Sequence, residues 1–309
     1  MAAPFRSAAA EVVVPATSAN IGPGFDCFGL ALQVHDHVVA MVTEDPGALV
    51  EVDGEGAGQL PNDDSHLVAR AMAAAWEEMG IPAPGVLLRC ANAIPQGRGA
   101  GSSAAAIVAG LLLARALTEN GDAALDDDAL LDLATRMEGH PDNVAAALLG
   151  GFTTAWLEET GSERVHARAV AHRVHDDVIP LVLVPEQSMS TTDARRMLPD
   201  DVARADAVFN VSRAALLVHA LTADPDLLMV STEDRLHQDA RSLAYPSSHD
   251  LVVELRARGI PAVISGAGPA VLVLAGEDSA AHVLGSAPDG WRTLLARVDH
   301  EGARVRLLP

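Results

Sequence analysis

A short run of β-branched residues at 12–14 predicts a strand near the start of the chain. Residues 30–42 alternate apolar and polar side chains, from Leu32 and Val34 through 37–42, which is the period of a strand with one buried face. Residues 48–52 supply a second strand able to pair with it. Asp63 or Ser65 can cap a helix that runs to Gly80, a natural stop. Residues 86–90 read as a strand, followed by a glycine-rich turn and a long apolar helix from Ser102 to about Glu119. Helices are predicted over 126–138 and 143–149, and a strand over 152–157.

Between 158 and 177 the chain turns polar, and a domain boundary is placed there, dividing 1–165 from 166–309. Beyond it, 178–185 reads as a buried strand and 200–223 as a helix with apolar spacing at Val202, Ala205, Val208, Val211 and Leu216. A helix over 248–259 and strands over 262–264 and 270–275 follow, with 305–308 able to close the sheet. Strands and helices mix without regular βαβ alternation, which favours an α+β fold in two domains.

Composition narrows the chemistry. The 309 residues carry a net charge of −21, opposite in sign to a nucleic-acid or anionic-membrane footprint. All 21 basic residues are arginine, which excludes a Walker-A lysine, a Schiff base and the strand lysine of protein kinases. Two cysteines, Cys27 and Cys90, make neither a disulfide framework nor a zinc cluster. The first ten residues have no apolar stretch of signal-peptide length, and no apolar run is long enough to span a bilayer, so a cytoplasmic protein is expected.

The strongest chemical signal is Pro95-Gln96-Gly97-Arg98-Gly99-Ala100-Gly101-Ser102-Ser103-Ala104-Ala105. Glycines at alternate positions permit backbone conformations closed to other residues, so successive N–H groups can converge on an anion. The helix that follows adds its own free N–H groups and dipole. Ser102 and Ser103 lie in its first turn, where either hydroxyl can cap the helix or ligate magnesium. A second loop, 15–29, packs Gly22, Gly24, Gly29, Asn20 and Asp26 into a turn-rich segment after the first strand. A third, 265–269, is a tight turn between two strands.

These three segments resemble the three motifs of the GHMP kinase superfamily. The strings PATSANIGPGFD (15–26), EGHPDNVA (138–145), STTDAR (190–195) and DRLHQ (234–238) resemble the homoserine kinases within it. The resemblance implies an N-terminal domain like that of ribosomal protein S5 and a ferredoxin-like C-terminal domain. It implies ATP and Mg2+ as cofactors, L-homoserine as acceptor and a homodimer. On these positions the 95–105 loop holds the phosphates, His66 lies near the adenine, and Ser103 with Glu138 ligates magnesium. Arg195 and Arg241 match the substrate-carboxylate arginines. Asp26 is expected at the ammonium, Asn20 and Asn143 at the hydroxyl, and His140, Thr191 and Gly268 as further substrate contacts. Asn20, Asp26, Asn143 and Arg195 form the expected catalytic set, with direct in-line transfer and no dedicated base. A mevalonate-type or sugar substrate would not need charges of both signs, which Asp26 with Arg195 and Arg241 provides.

Overall fold

Strand β1 (Ala9–Ala19) alternates half-buried and buried positions over its first residues and is wholly buried over its last six. That change marks where the strand leaves the sheet surface and runs beneath the loops of the site. The structure is a computed structural model that describes residues 4–6, 8–159, 165–188, 191–285 and 287–308, with the side chains of 191–193, 278 and 285 outside the description.

β1 pairs antiparallel with the 16-residue β2 (Phe28–Thr43), with a register shift between Pro15 and Ala16. The opposite edge of β2 is shared. Its first residues pair with β5 (Phe152–Glu159), and its later ones pair with β4 (Gly85–Asn92). Strand β3 (Ala48–Gly54) was expected against β2 but pairs in parallel with β4, because both edges of β2 are already taken. β6 (Val165–His172) pairs with β5. The final strand, β11 (Arg304–Leu308), was expected in the second sheet. It pairs instead with β1 and covers what would otherwise be an open edge.

Helices α1 (Leu67–Glu78), α2 (Ser102–Leu117), α3 (Gly121–Ala124), α4 (Asp127–Glu138) and α5 (Asp142–Leu149) belong to this first layer. α2 is apolar on every side, and it is accordingly buried nearly all round, against β1, α1, α4 and α5. α1 begins at Leu67 rather than at an Asp63 or Ser65 cap. His66 is the cap, its Nδ1 accepting from Val68 N at 3.3 Å, while Asp63 accepts from Ser65 in a turn of its own.

The second sheet orders β10 (Arg292–Leu295), β7 (Ile179–Val184), β9 (Val271–Ala275) and β8 (Ala262–Ile264), all antiparallel. Helices α9 (Pro246–Ala257) and α10 (Glu277–Gly285) pack on it, with α6 (Thr191–Arg196), α7 (Arg204–Thr222) and α8 (Leu228–Ser231) beside them in the chain. On α7 the expected apolar face is wrong: Val208 is 63% and Val211 70% exposed, while Asn210, Leu217, Ala220 and Leu221 are buried. Alanines and valines surround this helix, so periodicity leaves the phase open, and the polar anchor at Asn210 fixes it.

Close helix packing makes one substitution decisive. A Cβ on Gly110 of α2 would lie 2.4 Å from Val68 O and 2.6 Å from Ala71 Cβ of α1. Helix propensity alone favours alanine there by about 1 kcal/mol. Crowding against helix backbone costs about 1–3 kcal/mol, and that backbone cannot swing aside as a side chain does. Gly110→Ala is therefore expected to lower the urea midpoint; a raised midpoint contradicts the packing.

Candidate active site

Three glycine turns meet at the end of β1. Gly97, Gly99 and Gly101 all have left-handed backbones, with φ of +63°, +78° and +73°. A Cβ on Gly99 would sit 2.3 Å from Ser265 O, and one on Gly101 only 1.9 Å from Thr17 Oγ1. The phosphate-type loop is thus clamped from both sides. Thr17 N donates to Ala100 O, Ala270 N to Arg98 O, and Ser265 Oγ to Gly99 O at 2.6 Å. Asn20 Nδ2 donates to Gly266 O at 2.8 Å, and Gly266 N returns a bond to Ala19 O.

Where these turns meet α1, α2 and α5 lies a cavity of about 420 Å3. One end is lined by Leu60, Pro61, His66, Val68 and Asn92, and the other by Phe25, Asp26, His140, Arg195 and Arg241. The N-terminus of α2 opens between them. Its cap residue, Gly101, is left-handed and offers no side-chain bond, so the first-turn N–H groups are not covered by a serine cap. Ser103 Oγ instead donates to Glu138 Oε1 at 2.7 Å. Burial pushes the Glu138 carboxyl up, against the bond from Ser103. Two hard oxygens converging beside a helix N-terminus fit a magnesium ion that also takes phosphate oxygens and water.

Of the loop residues, Gln96, Gly97, Arg98, Gly99, Gly101, Ser102, Ser103 and Ala105 line the cavity. Ala100 and Ala104 are buried beneath it, and Pro95 enters the loop. The Arg98 guanidinium is held by the carbonyls of Gln96, Pro185 and Glu186, so it straps the loop to the end of β7. Below the loop, the buried Asp36 accepts from Ala93 N and Ile94 N, and burial pushes its carboxyl up to about 6. His66 Nε2 is buried without a partner among the described residues, and burial lowers the ring's pKa.

At the other end Arg195 grips Asp26 with two bonds of 2.7 and 2.9 Å, and that pairing raises the arginine further. Arg241 is only 2% exposed. Its Nε donates to Ala194 O, while its Nη1 has no partner among the described residues. Burial, with Arg195 nearby, pushes this guanidinium down. Both arginines lie against the Phe25 ring, at 5.6 and 5.3 Å from its centre. Asn143 Oδ1 accepts from Thr17 Oγ1 at 2.7 Å, and Asn20 Oδ1 accepts from Asp26 N at 2.9 Å. His140 Nδ1 lies 2.5 Å from Asp142 Oδ1. Burial alone would lower the His140 pKa, but the bond and charge of Asp142 raise it. Gly268 lines the cavity. Thr191 opens α6, and its side chain lies outside the described residues, as does Ser190.

Sequence reasoning gave no role to Asp142, Phe25, Thr17 or Asp36. The first stands inside the EGHPDNVA string, two residues from His140, and the second directly precedes Asp26. Thr17 stands inside the PATSANIGPGFD string, although its partner Asn143 is 126 residues away; no local signal marks Asp36, whose partner Ala93 is 57 residues away.

Comparison with known proteins agrees with this geometry. Residues 66–151 match the model of the GHMP kinases N terminal domain. The chain is 53% identical over 306 residues to a homoserine kinase of Streptomyces avermitilis, covering 99% of this chain and 98% of that one. It is 52% identical over 306 residues to the homoserine kinase of Streptomyces coelicolor, covering 99% and 97%. The crystal structure of homoserine kinase from Cytophaga hutchinsonii superposes with a TM-score of 0.82 at 28% identity, covering 98% of this chain and 99% of that one. With its loops, cavity and full-length likeness in agreement, this chain belongs to the homoserine kinase family of the GHMP kinases.

Proposed function

We propose that the 420 Å3 cavity is where this enzyme transfers the γ-phosphoryl group of ATP to the side-chain hydroxyl of L-homoserine, giving O-phospho-L-homoserine for threonine biosynthesis. The observation that carries this assignment is Arg241: a buried guanidinium with a free Nη1 beside a carboxylate that another arginine already grips. A buried guanidinium with an unmet donor is costly, and an incoming α-carboxylate offsets that cost with charge-assisted bonds. A zwitterion supplies one charge for each wall: its carboxylate for Arg195 and Arg241, its ammonium for Asp26.

The residues divide the work. The amides of 97–101 and the first turn of α2 hold the phosphates, and His66 lies at the adenine end. Ser103 and Glu138 hold magnesium, which neutralises phosphate charge. Asn20 and Asn143 flank the acceptor hydroxyl, with His140, Thr191 and Gly268 completing its surroundings. Asp26 is tied up by Arg195 and is a poor base, which supports in-line transfer driven by positioning and charge neutralisation. Residues 1–165 thus carry most of the nucleotide end, while Arg195, Arg241 and Gly268 from 166–309 complete the amino-acid end. Among the described residues no helix is long and apolar enough to cross a membrane. We place the enzyme in the cytoplasm, where Cys27 and Cys90 stay reduced, as a homodimer; a solution mass near that of one chain contradicts the dimer.

ADP release with MgATP should be fast with L-homoserine and slow with L-serine, L-threonine, mevalonate or galactose; brisk turnover of another alcohol overturns the substrate assignment. Arg241→Met should raise the homoserine KM by about 10- to 100-fold, the worth of charge-assisted bonds, and leave the ATP KM within about twofold. Equal rises in both would contradict its placement. Glu138→Gln should raise the Mg2+ concentration for half-maximal rate by about tenfold, and an unchanged requirement removes Glu138 from the metal site.

A further inference from the structure

The DRLHQ segment contains none of the residues assigned above, yet its His237 is buried against the loop that carries Asp26. The Asp234 carboxylate accepts from the amides of Leu236, His237 and Gln238 and from Asn210 Nδ2. That folds 234–238 into a rigid turn. Asn210 Nδ2 also reaches Pro23 O at 3.3 Å. His237, 1% exposed, has its Nε2 2.8 Å from Gly22 O, so Nε2 carries the hydrogen and donates it. The His237 ring lies 5.2 Å from that of Phe25 at an interplanar angle of 33°. Burial lowers the imidazole's pKa, in keeping with a neutral ring whose Nδ1 has no partner among the described residues.

The loop so held is strained. Asn20, Ile21, Gly22 and Asp26 all have left-handed backbones, with φ of +67°, +48°, +77° and +55°. For Ile21, a β-branched residue, this is a true outlier, and such residues persist only where their surroundings over-determine them. Asn20 closes the loop from inside through Asp26 N and Gly266 O. From outside, Thr232 O lies so near Gly22 that a Cβ there would come within 2.5 Å of it. His237 bonds the loop's apex at Gly22 O, beside Asn210 at Pro23 O, and its ring also lies against the ring beneath both arginines.

We propose that His237 is a positioning residue for the amino-acid end of the site. Its bond to Gly22 O and its ring against Phe25 fix the strained 20–26 turn, so that Asp26 and Phe25 meet Arg195 and Arg241 in one geometry. This rests on the placement of the zwitterion proposed above. It separates His237 from the nucleotide end, so the effect falls on one substrate and not the other.

The test is steady-state kinetics of the full chain with each substrate varied in turn. His237→Leu, which removes the donor, should raise the homoserine KM by about tenfold, the worth of one buried hydrogen bond, with the ATP KM within about twofold. His237→Gln, whose amide reaches about as far as Nε2, should recover most of the loss. His237→Asn, whose amide falls short of Gly22, should not. Should the leucine variant fail to fold, the Gln and Asn pair carries the test, because both are polar and differ chiefly in reach. Equal homoserine KM for Gln and Asn, or parallel rises in both substrates' KM, overturns the positioning role. Arg195→Ala run alongside separates the two ideas. A selective rise there, with none for His237→Leu, overturns only the role of His237. No selective rise in either variant overturns the placement of the zwitterion and the proposal with it.

Discussion

Everything at the site hangs on the mutual clamping of three turns whose backbones are too close for side chains to intervene. Gly99 lies against Ser265 O, Gly101 against Thr17, and Asn20 ties the end of β1 to Gly266. Each turn comes from a different part of the chain, separated by roughly 80 to 250 residues, and each is bonded to another. The left-handed conformations at 97, 99 and 101 curl the loop along the cavity, and bonds from Thr17, Ser265 and Ala270 hold it there. The same clamp orients the start of α2, which brings Ser103 to Glu138.

Electrostatics explains why such a clamp suits this chain. A protein with a net charge of −21 and no lysine must bind a polyanionic nucleotide. Its positive field is local: fixed backbone dipoles at one end and two arginines at the other. Backbone dipoles keep their orientation and need no reorganisation when charge shifts during transfer. The arginines are used differently from each other. Arg195 is partly exposed and paired with Asp26, while Arg241 is buried with a free donor. A substrate carrying both charges can compensate Arg241 without leaving Asp26 unpaired.

The parts legible in the sequence were those whose signal is local. Alternate glycines before an apolar helix need no tertiary information, and neither does the all-round apolar character of α2. The EGHPDNVA string placed Glu138, His140 and Asn143 together because the end of α4, a short turn and the start of α5 follow one another directly. Long-range choices were not legible. Nothing in 48–52 or 305–308 states which edge is vacant, and the edges were decided by the length of β2 and the exposed flank of β1. On α7 the burial phase follows Asn210, a polar residue that hydrophobic periodicity discounts. His66 as a helix cap was missed because imidazole is an uncommon cap. Asp142 was not legible because an acidic residue in the first turn of a helix is ordinarily a solvated one, whereas this one is buried with its Oδ1 2.5 Å from His140 Nδ1.

The central claim is that opposite charges on the two walls read a zwitterion. The most direct measurement is ADP release with MgATP and three alcohols: L-homoserine, 4-hydroxybutanoate, which lacks the ammonium, and 3-aminopropan-1-ol, which lacks the carboxylate. The account predicts that kcat/KM falls by at least about tenfold for each deletion, since each removes one of the two charges that Asp26 and the arginines read. Comparable kcat/KM for all three would contradict it.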